Sequence, residues 1–539
     1  MGSAADGAIV GASIRTLDAA RPHATALAWR DGVLIAVEDD VREHIGPATR
    51  VIDGRGLCVV PGLTDSHIHP FWGTRRTRGA DLRSAETLDE VRARLAAERE
   101  RCGPGEWVLA HSAHYEPFHG AGLRAEAIAD AVQDSPAIVY FFDAHTALAS
   151  FAALERAGIT GARGFEEAAE IVVDPDGTPT GALLENAAID LVDAVIPDWG
   201  EAERLDAYAQ TLRRLNAVGL TGAHVMIGDR ELLDDVRALE ARDELTLRMV
   251  VPMHQEPAID DAEVERRLAL AGEGGRLWRT GTAKFFLDGV LESGTAWLVE
   301  PGPCGVNAHP FWPSVERYGE LVTRFKSAGF SAITHAVGDG AVRGALDAYA
   351  KAGPPRRGMH RVEHIETLCD EDLPRFAQLG VAASMQPLHM EGLDDPAAPS
   401  AWLDGLSDGR AERAFRARDL ADSGATLALG SDWMVADYDP RYGMAWARLR
   451  RTPGERARVP YLPAQALTAE QTLLGYTVHA ARVNGDEDVC GRLKVGLRAD
   501  ITAFAADPVE TRADELPELP VRLTVVDGRV VWLDSQGAS

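Results

Sequence analysis

Two histidines separated by one residue follow a short apolar segment near the start of the chain. His67 and His69 come after the run Leu57–Leu63, which is too short for a helix and is interrupted by Pro61 and Gly62, so it predicts a buried strand. Side chains at positions i and i+2 of a strand lie on one face, so both imidazoles can reach one point in space. Two converging imidazoles form half of a zinc-type site. Taken alone, the pair favours two histidines on a polar loop, because His-x-His occurs by chance in many chains.

Four more ionisable residues occur where later β-type segments end. They are Lys284, His335, His364 and Asp432. A hydrogen-bonded buried histidine is an ordinary feature, but a lysine in an apolar strand is costly because an unpaired buried ammonium is strongly disfavoured. A deprotonated amine that takes up carbon dioxide becomes a carbamate, which is an anionic ligand with two oxygens. A carbamate, four imidazoles and a carboxylate would suit one or two divalent ions such as zinc.

The elements that must position these residues alternate between β-type and helical segments. Amphipathic helical stretches such as 341–350 and 370–380 separate the β-type segments. The eight β-type segments are 57–63, 219–225, 245–251, 282–287, 330–335, 361–365, 381–386 and 425–430. Eight β/α repeats predict an α/β fold, a (β/α)8 TIM barrel spanning residues 57–484, whose active site lies at the C-terminal ends of the strands.

Two regions do not follow the barrel pattern. Residues 72–218 are too long for one connection and contain their own β-type segments, so they predict an insertion subdomain after the first barrel strand. Short strands and turns in residues 1–56 and 485–539 predict a small β-sandwich-like domain formed by both chain ends. Asp527-Gly528 between two β-rich runs indicates a hairpin in this domain.

Composition narrows the class of protein. The chain has 539 residues and a net charge of −28, which argues against nucleic-acid binding because no basic stripe is available for phosphates. Five scattered cysteines without a C-x-x-C pair, no evident signal peptide and no apolar run of about 18 residues predict a cytoplasmic protein that does not contact a membrane. A homodimer is the oligomer favoured by frequency alone.

Several motifs together resemble the amidohydrolase superfamily, in particular the amidohydrolase family 3 branch that includes the N-substituted formamide deformylases. The resemblance covers nearly the whole chain. The motifs that carry it are 61–69, 177–185, 284–289, 335–339, 360–364, 386–389, 430–432 and 491–500. As a set these motifs are highly specific.

The resemblance implies the roles of the six ionisable residues. His67 and His69 would bind one metal, and His335 and His364 a second. Lys284 as a carbamate would bridge the two ions, and Asp432 would ligate metal and act as the general base. Metal-activated hydroxide would then attack a polarised carbonyl group, and Asp432 would carry the proton to the leaving amine. Some relatives work with one ion and an unmodified site.

Five further residues are candidates for substrate contact. His145 and Glu185 lie in the predicted insertion, Gln386 and His389 follow the seventh strand, and Trp72 follows the histidine pair. His145 resembles a family segment that reaches the site. Each of the five has an alternative structural role: Glu185 could pair with an arginine, and Trp72 could simply pack in the core.

The leading functional hypothesis is a metal-dependent hydrolase of a small-molecule amide, whether linear, formyl or cyclic. Deamination of a heterocycle is an alternative, but deaminase relatives use a glutamate shortly after a barrel histidine, and Gly338 and Asp339 stand there. Ester or lactone hydrolysis is a second alternative because the same nucleophile attacks any polarised acyl carbon. A non-catalytic scaffold is disfavoured because all six candidate ligands are retained.

Overall fold

The computed structural model describes residues 4–103, 105–165, 169–395, 400–407 and 409–534. The strands in these ranges form three sheets. In chain order the strands are β1 (Gly7–Arg15), β2 (His23–Arg30), β3 (Val33–Glu38), β4 (Arg50–Asp53), β5 (Cys58–Pro61), β6 (Leu63–Ile68), β7 (Ala80–Asp81), β8 (Val108–Ala113), β9 (Ala137–Phe141), β10 (Thr146–Ala149), β11 (Glu170–Val173), β12 (Pro179–Leu184), β13 (Leu220–Val225), β14 (Arg248–Gln255), β15 (Trp278–Phe286), β16 (Ser331–Ala336), β17 (Arg361–His364), β18 (Ala382–Met385), β19 (Leu427–Leu429), β20 (Ile501–Phe504), β21 (Val521–Val526) and β22 (Arg529–Leu533).

Helices separate most of these strands. The α-helices are α1 (Pro70–Arg76), α2 (Leu88–Arg101), α3 (Glu126–Val132), α4 (Phe151–Arg156), α5 (Asn186–Asp193), α6 (Glu201–Ala217), α7 (Arg230–Ala241), α8 (Asp261–Leu268), α9 (Val315–Ser327), α10 (Asp339–Ala352), α11 (Leu373–Leu379), α12 (Ala401–Asp404), α13 (Ala417–Asp422), α14 (Pro440–Leu449), α15 (Ala469–Gly475) and α16 (Val478–Asn484). Among the described residues, no helix is long and apolar enough to cross a membrane.

Eight parallel strands form the barrel that carries the candidate site. Their order is β6, β13, β14, β15, β16, β17, β18 and β19. Residues that follow β19 nearly close the ring onto β6: the Asp432 amide donates to the His67 carbonyl at 2.7 Å, and the Ser431 amide donates to an Asp65 carboxylate oxygen at 3.0 Å. Every residue of β13 and β16 is buried, as is typical of parallel strands covered by helices. The predicted (β/α)8 fold is confirmed.

The first barrel strand differs from the segment expected in the sequence. Cys58–Pro61 is β5 and belongs to the sheet of the chain ends, whereas the barrel strand β6 begins at Leu63 and contains His67. The chain changes sheets at Gly62, where a Cβ atom would lie 2.2 Å from the Thr221 Oγ1 atom of the neighbouring barrel strand. Only glycine leaves room for that approach, so one apolar run supplies two strands.

The two other sheets account for the chain ends and for the long first connection. One has the order β22, β21, β20, β5, β1, β2, β3, with β4 paired to β1, and therefore combines both chain ends. Its β21–β22 hairpin turns at Asp527 and Gly528, which both have positive φ as a type I′ turn requires. The other sheet, β11, β12, β10, β9, β8, β7, lies within residues 72–218. The division into domains at 1–56 with 485–539, 57–484 and 72–218 stays a proposal, with β5 placed in the sheet of the chain ends.

Candidate metal centre

The Asp432 carboxylate lies at the centre of a histidine cluster at the C-terminal end of the barrel. Its Oδ1 atom is 3.0 Å from His69 Nε2 and 3.4 Å from His67 Nε2. Its Oδ2 atom is 3.5 Å from His389 Nε2 and 3.9 Å from His364 Nδ1. Burial raises the pKa of Asp432, but the histidines around it outweigh burial and hold the pKa well below the ordinary value, so the group is a carboxylate.

Two sets of donor atoms in this cluster are close enough to share an ion. The first consists of His67, His69 and Asp432, and the second of His364, His389 and Asp432; within each set the donor atoms lie within 4.8 Å of one another. Imidazole nitrogens with one carboxylate oxygen are a donor combination typical of zinc and similar divalent ions. The chemistry of the donors therefore fits a metal.

The ring nitrogens of His364 have the surroundings that a metal ligand requires. Both of its ring nitrogens are buried and neither has a hydrogen-bond partner among the described residues, although buried polar atoms in proteins nearly always have one. Burial lowers the pKa of His364 well below its usual value, so the ring is neutral and has the lone pair that a metal needs.

Unusual backbone conformations place two of these side chains. His364 and Ile365 have φ of 71° and 53°, and Asp432 has φ of 58°. Side chains alternate along a regular strand, so in β17 the inward residues Arg361 and Glu363 would leave His364 on the outer face. Left-handed backbone at the end of β17 redirects His364, whose ring centroid lies 4.7 Å from that of His67. Such conformations are costly for residues other than glycine and concentrate at functional sites.

Lys284 and His335, which the sequence assigns to the metal site, make other contacts, and His335 is not part of either set of histidine and carboxylate donors. Lys284 is fully buried, with its Nζ atom 4.0 Å from Met226 Sδ and 4.6 Å from the centre of the Phe286 ring. Burial lowers the pKa of Lys284 to about 8, which leaves a fraction of neutral amine at physiological pH. His335 places Nε2 at 3.1 Å from the Gly289 carbonyl oxygen. Carbamate formation on Lys284 stays a prediction.

Two carboxylates that the sequence analysis did not single out orient histidines of the cluster. His67 Nδ1 donates to Glu363 Oε2 at 2.7 Å, and Arg361 Nε lies 2.9 Å from Glu363 Oε1. His389 Nδ1 lies 3.3 Å from Glu366 Oε1. A metal-binding histidine commonly donates its second ring N–H to a carboxylate, which fixes the tautomer. The alternation of side chains between the two faces of a strand could have indicated, from His360-Arg-Val-Glu-His364, that Arg361 and Glu363 lie on the same face.

The insertion reaches the barrel through His145 and Glu185. His145 Nδ1 lies 2.5 Å from Glu185 Oε2, and the His145 ring centroid is 5.4 Å from that of His335. The other Glu185 oxygen accepts from Thr295 Oγ1 at 2.5 Å, so Glu185 pairs with a histidine and a threonine instead of an arginine. Burial lowers the pKa of His145, but the Glu185 and Asp143 carboxylates outweigh burial and raise it to about 9.

The cluster opens into a cavity of about 480 Å³. Trp72 lines it and contacts the His69 ring at a centroid distance of 5.2 Å. Gln386 does not line the cavity; it is buried, and neither side-chain amide atom has a hydrogen-bond partner among the described residues. Lining residues that the sequence analysis missed include Arg83, His114, Tyr115, Glu292, Phe286 and Trp402. The mixture of aromatic and acidic walls suits a partly apolar small molecule.

Comparison with known proteins places this fold and site in a family. A model of the amidohydrolase family matches residues 50–532. YtcJ of Bacillus subtilis (strain 168), named as an amidohydrolase, is 28% identical over 91% of this chain and 92% of its own length. The N-substituted formamide deformylase of Arthrobacter pascens is 27% identical over 96% of this chain and 97% of its own length.

A solved structure shares the fold. The crystal structure of an uncharacterized metal-dependent hydrolase from Pyrococcus horikoshii OT3 superposes with a TM-score of 0.74 and 22% identity, covering 94% of this chain and 99% of that one. The chain belongs to the amidohydrolase family, and it is a hydrolase. The resemblance drawn from the sequence motifs is confirmed.

Proposed function

We propose that this protein is a metal-dependent hydrolase that cleaves the amide-type C–N bond of a small, partly apolar substrate. The observation that carries the proposal is the convergence of His67, His69 and His364 on the Asp432 carboxylate. The two buried ring nitrogens of His364, which have no hydrogen-bond partner in the described part of the chain, support it. The relative named as an N-substituted formamide deformylase makes formamides the first substrates to test. The reaction would convert an N-substituted formamide and water to an amine and formate.

Separate residues of this chain would bind the metal ions. His67, His69 and Asp432 would hold a divalent ion, for which zinc is the best candidate, while His335, His364 and Lys284 are the sequence-predicted ligands of a second ion. When bound, such an ion makes water a better nucleophile near neutral pH and polarises a carbonyl group.

Asp432 would act as the general base because it is an ionised carboxylate that lies among the histidines facing the cavity. It would accept a proton from the attacking water and deliver that proton to the nitrogen that leaves. His145 faces the same cavity, where its ring would contact the substrate. Trp72 would form an apolar wall beside the reacting group.

Asp432→Asn tests the proposal, with formate release from N-benzylformamide as the assay. Asparagine keeps the shape but cannot accept the proton, so we expect kcat to fall about 10²–10⁴-fold. Asp437→Asn is the matched control, since Asp437 is exposed in the loop that follows. Equal activity of wild type and Asp432→Asn would refute the general-base role. Failure of the wild type on formamides, hydantoins and acyl amides alike would refute amide hydrolysis.

A further inference from the structure

His67 and His389 each have a glutamate at one ring nitrogen and Asp432 at the other. His67 uses Nδ1 to bind Glu363 at 2.7 Å, and its Nε2 lies 3.4 Å from Asp432 Oδ1. His389 has Nδ1 at 3.3 Å from Glu366, and its Nε2 lies 3.5 Å from Asp432 Oδ2. In each pair a carboxylate holds one ring nitrogen and thereby directs the other nitrogen toward the site. The two histidines therefore point toward different oxygens of the Asp432 carboxylate.

Glu366 is itself fixed in position. The Trp402 indole N–H donates to Glu366 Oε2 at 2.6 Å, and Glu366 is buried. The His389 ring stacks on the His364 ring with a centroid distance of 5.6 Å and an angle of 13° between their planes. This packing brings His389 Nε2 close to His364, whose own nitrogens have no partner among the described residues. A ring that served only as packing would not require this carboxylate.

The other two residues that the family pattern supplies for a second ion, His335 and Lys284, have different surroundings. His335 Nε2 is engaged with the Gly289 carbonyl oxygen at 3.1 Å. Lys284 Nζ has the Met226 sulfur, at 4.0 Å, as its hydrogen-bond partner. His335 does not belong to either of the two sets of histidine and carboxylate donor atoms that lie within 4.8 Å of one another.

We propose that His389 is a metal ligand that forms a second metal subsite with His364 and Asp432, and that Glu366 is its positioning residue. The inference rests on the metal-dependent hydrolysis proposed above. Two imidazoles and a carboxylate oxygen leave at least one coordination position for water or substrate in a four-coordinate zinc site. Asp432 would then serve both subsites, one through each carboxylate oxygen.

Metal stoichiometry measured without substrate tests this assignment. Metal-free protein is titrated with Zn²⁺, and bound metal is quantified by elemental analysis after unbound ions are removed. We expect about two equivalents per chain in the wild type and about one in His389→Ala. His114→Ala is the matched control, because His114 lines the same cavity but belongs to neither set of donor atoms, and it should keep two equivalents. The absorption spectrum of the Co²⁺-loaded protein should also change in His389→Ala.

Glu366→Gln provides a second test that does not remove a ligand. Loss of the carboxylate that orients His389 should weaken binding of the second equivalent about 10–100-fold while the first is unchanged. Circular dichroism melting of each variant separates a local effect from misfolding.

The assignment would be overturned if the wild type bound one equivalent, or if His389→Ala kept two with unchanged affinity. Loss of the second equivalent in His335→Ala or Lys284→Ala, with none in His389→Ala, would assign the subsite to the sequence-predicted ligands. Two equivalents that depend on His389, without hydrolysis of any amide, would refute the proposed reaction and leave this inference standing.

Discussion

Replacing Glu363 by glutamine tests the buried charges beneath the candidate metal centre. Glu363 is fully buried, accepts from His67 Nδ1 at 2.7 Å and lies 2.9 Å from Arg361 Nε. The Arg361 side chain is also fully buried, and its second contact is with His224 Nδ1 at 2.8 Å. Glutamine keeps the size of the side chain but removes the negative charge, which leaves the Arg361 guanidinium without its counterion.

The pKa of Glu363 gives the size of the expected effect. Burial raises this pKa, but Arg361 and His67 outweigh burial and lower it from 4.5 to about 2. That difference corresponds to roughly 3 kcal/mol in the free energy of unfolding, close to the ~3–5 kcal/mol lost when one partner of a buried ion pair is removed. Because the folded pKa is depressed, the contribution is complete above about pH 4.5 and is lost as the pH falls through 2.

Two measurements at pH 7 separate the roles of Glu363. Denaturant unfolding of metal-free Glu363→Gln should show a loss of about 3 kcal/mol. Competition with a chelator should show zinc affinity reduced about 10–100-fold, because the His67 tautomer is no longer fixed. In the double variant Arg361→Met, Glu363→Gln, most of the stability should return because no unpaired charge remains, whereas the zinc affinity should stay low.

Unchanged stability or unchanged zinc affinity of Glu363→Gln would contradict the two roles of Glu363. If Glu363→Gln unfolds within about 0.5 kcal/mol of the wild type, the size of an ordinary surface substitution, then the buried pair does not stabilise the fold. If zinc affinity is also unchanged, Glu363 does not orient His67. Recovery of zinc affinity in the double variant would show that the loss came from the unpaired guanidinium and not from the tautomer.

Three further predictions address other parts of the chain. The pKa of His145 is raised above its ordinary value of 6.5 to about 9, so its contribution to stability is complete below about pH 6.5 and is lost as the pH rises through 9. The free energy of unfolding should therefore change less with pH across this range in Glu185→Gln than in the wild type. Equal slopes in the two proteins would contradict the role of Glu185. Removing metal with a chelator should lower the unfolding free energy by about 4 kcal/mol relative to protein at a zinc concentration ~1,000 times Kd, and an unchanged melting temperature would argue against a bound ion. Gly528→Ala should cost about 1–2 kcal/mol because φ is 78° and the added Cβ would lie 2.8 Å from the Trp29 ring; Gly120→Ala, where φ is ordinary and no atom lies within 4 Å, is its control.

The sequence indicated the barrel and part of the site because both follow from local rules. Alternating β-type and helical segments predict parallel strands, and parallel strands place their C-terminal ends at one rim. His67, His69 and Asp432 lie at such ends, and the structure places each of the two histidines within 3.4 Å of the Asp432 carboxylate. Hydrophobic periodicity and the rule that active sites lie at the C-terminal ends of barrel strands were sufficient to predict where these three residues lie.

The remaining contacts depend on conformations that local patterns do not specify. His389 lies in the short turn Pro387–Met390 after β18, and Glu366 lies in the loop after β17. The approach of His389 to Asp432, and its contact with Glu366, depend on how two loops fold against each other. The boundary between β5 and β6 was missed for a related reason. Gly62 permits a close contact with Thr221, a residue about 160 positions later in the chain, and no local pattern signals that partner.

The passage of the chain from β5 into β6 at Gly62 also has a consequence for biosynthesis. β5 pairs with β1, which the ribosome has already made, and with β20, which begins at Ile501. Roughly 440 residues separate these partners, which at about 5–20 residues per second corresponds to ~20–90 s of translation. During this time one edge of β5, just upstream of the histidine pair, has no strand beside it. Nascent chains should therefore depend on chaperone protection of their first 70 residues until the last strands emerge.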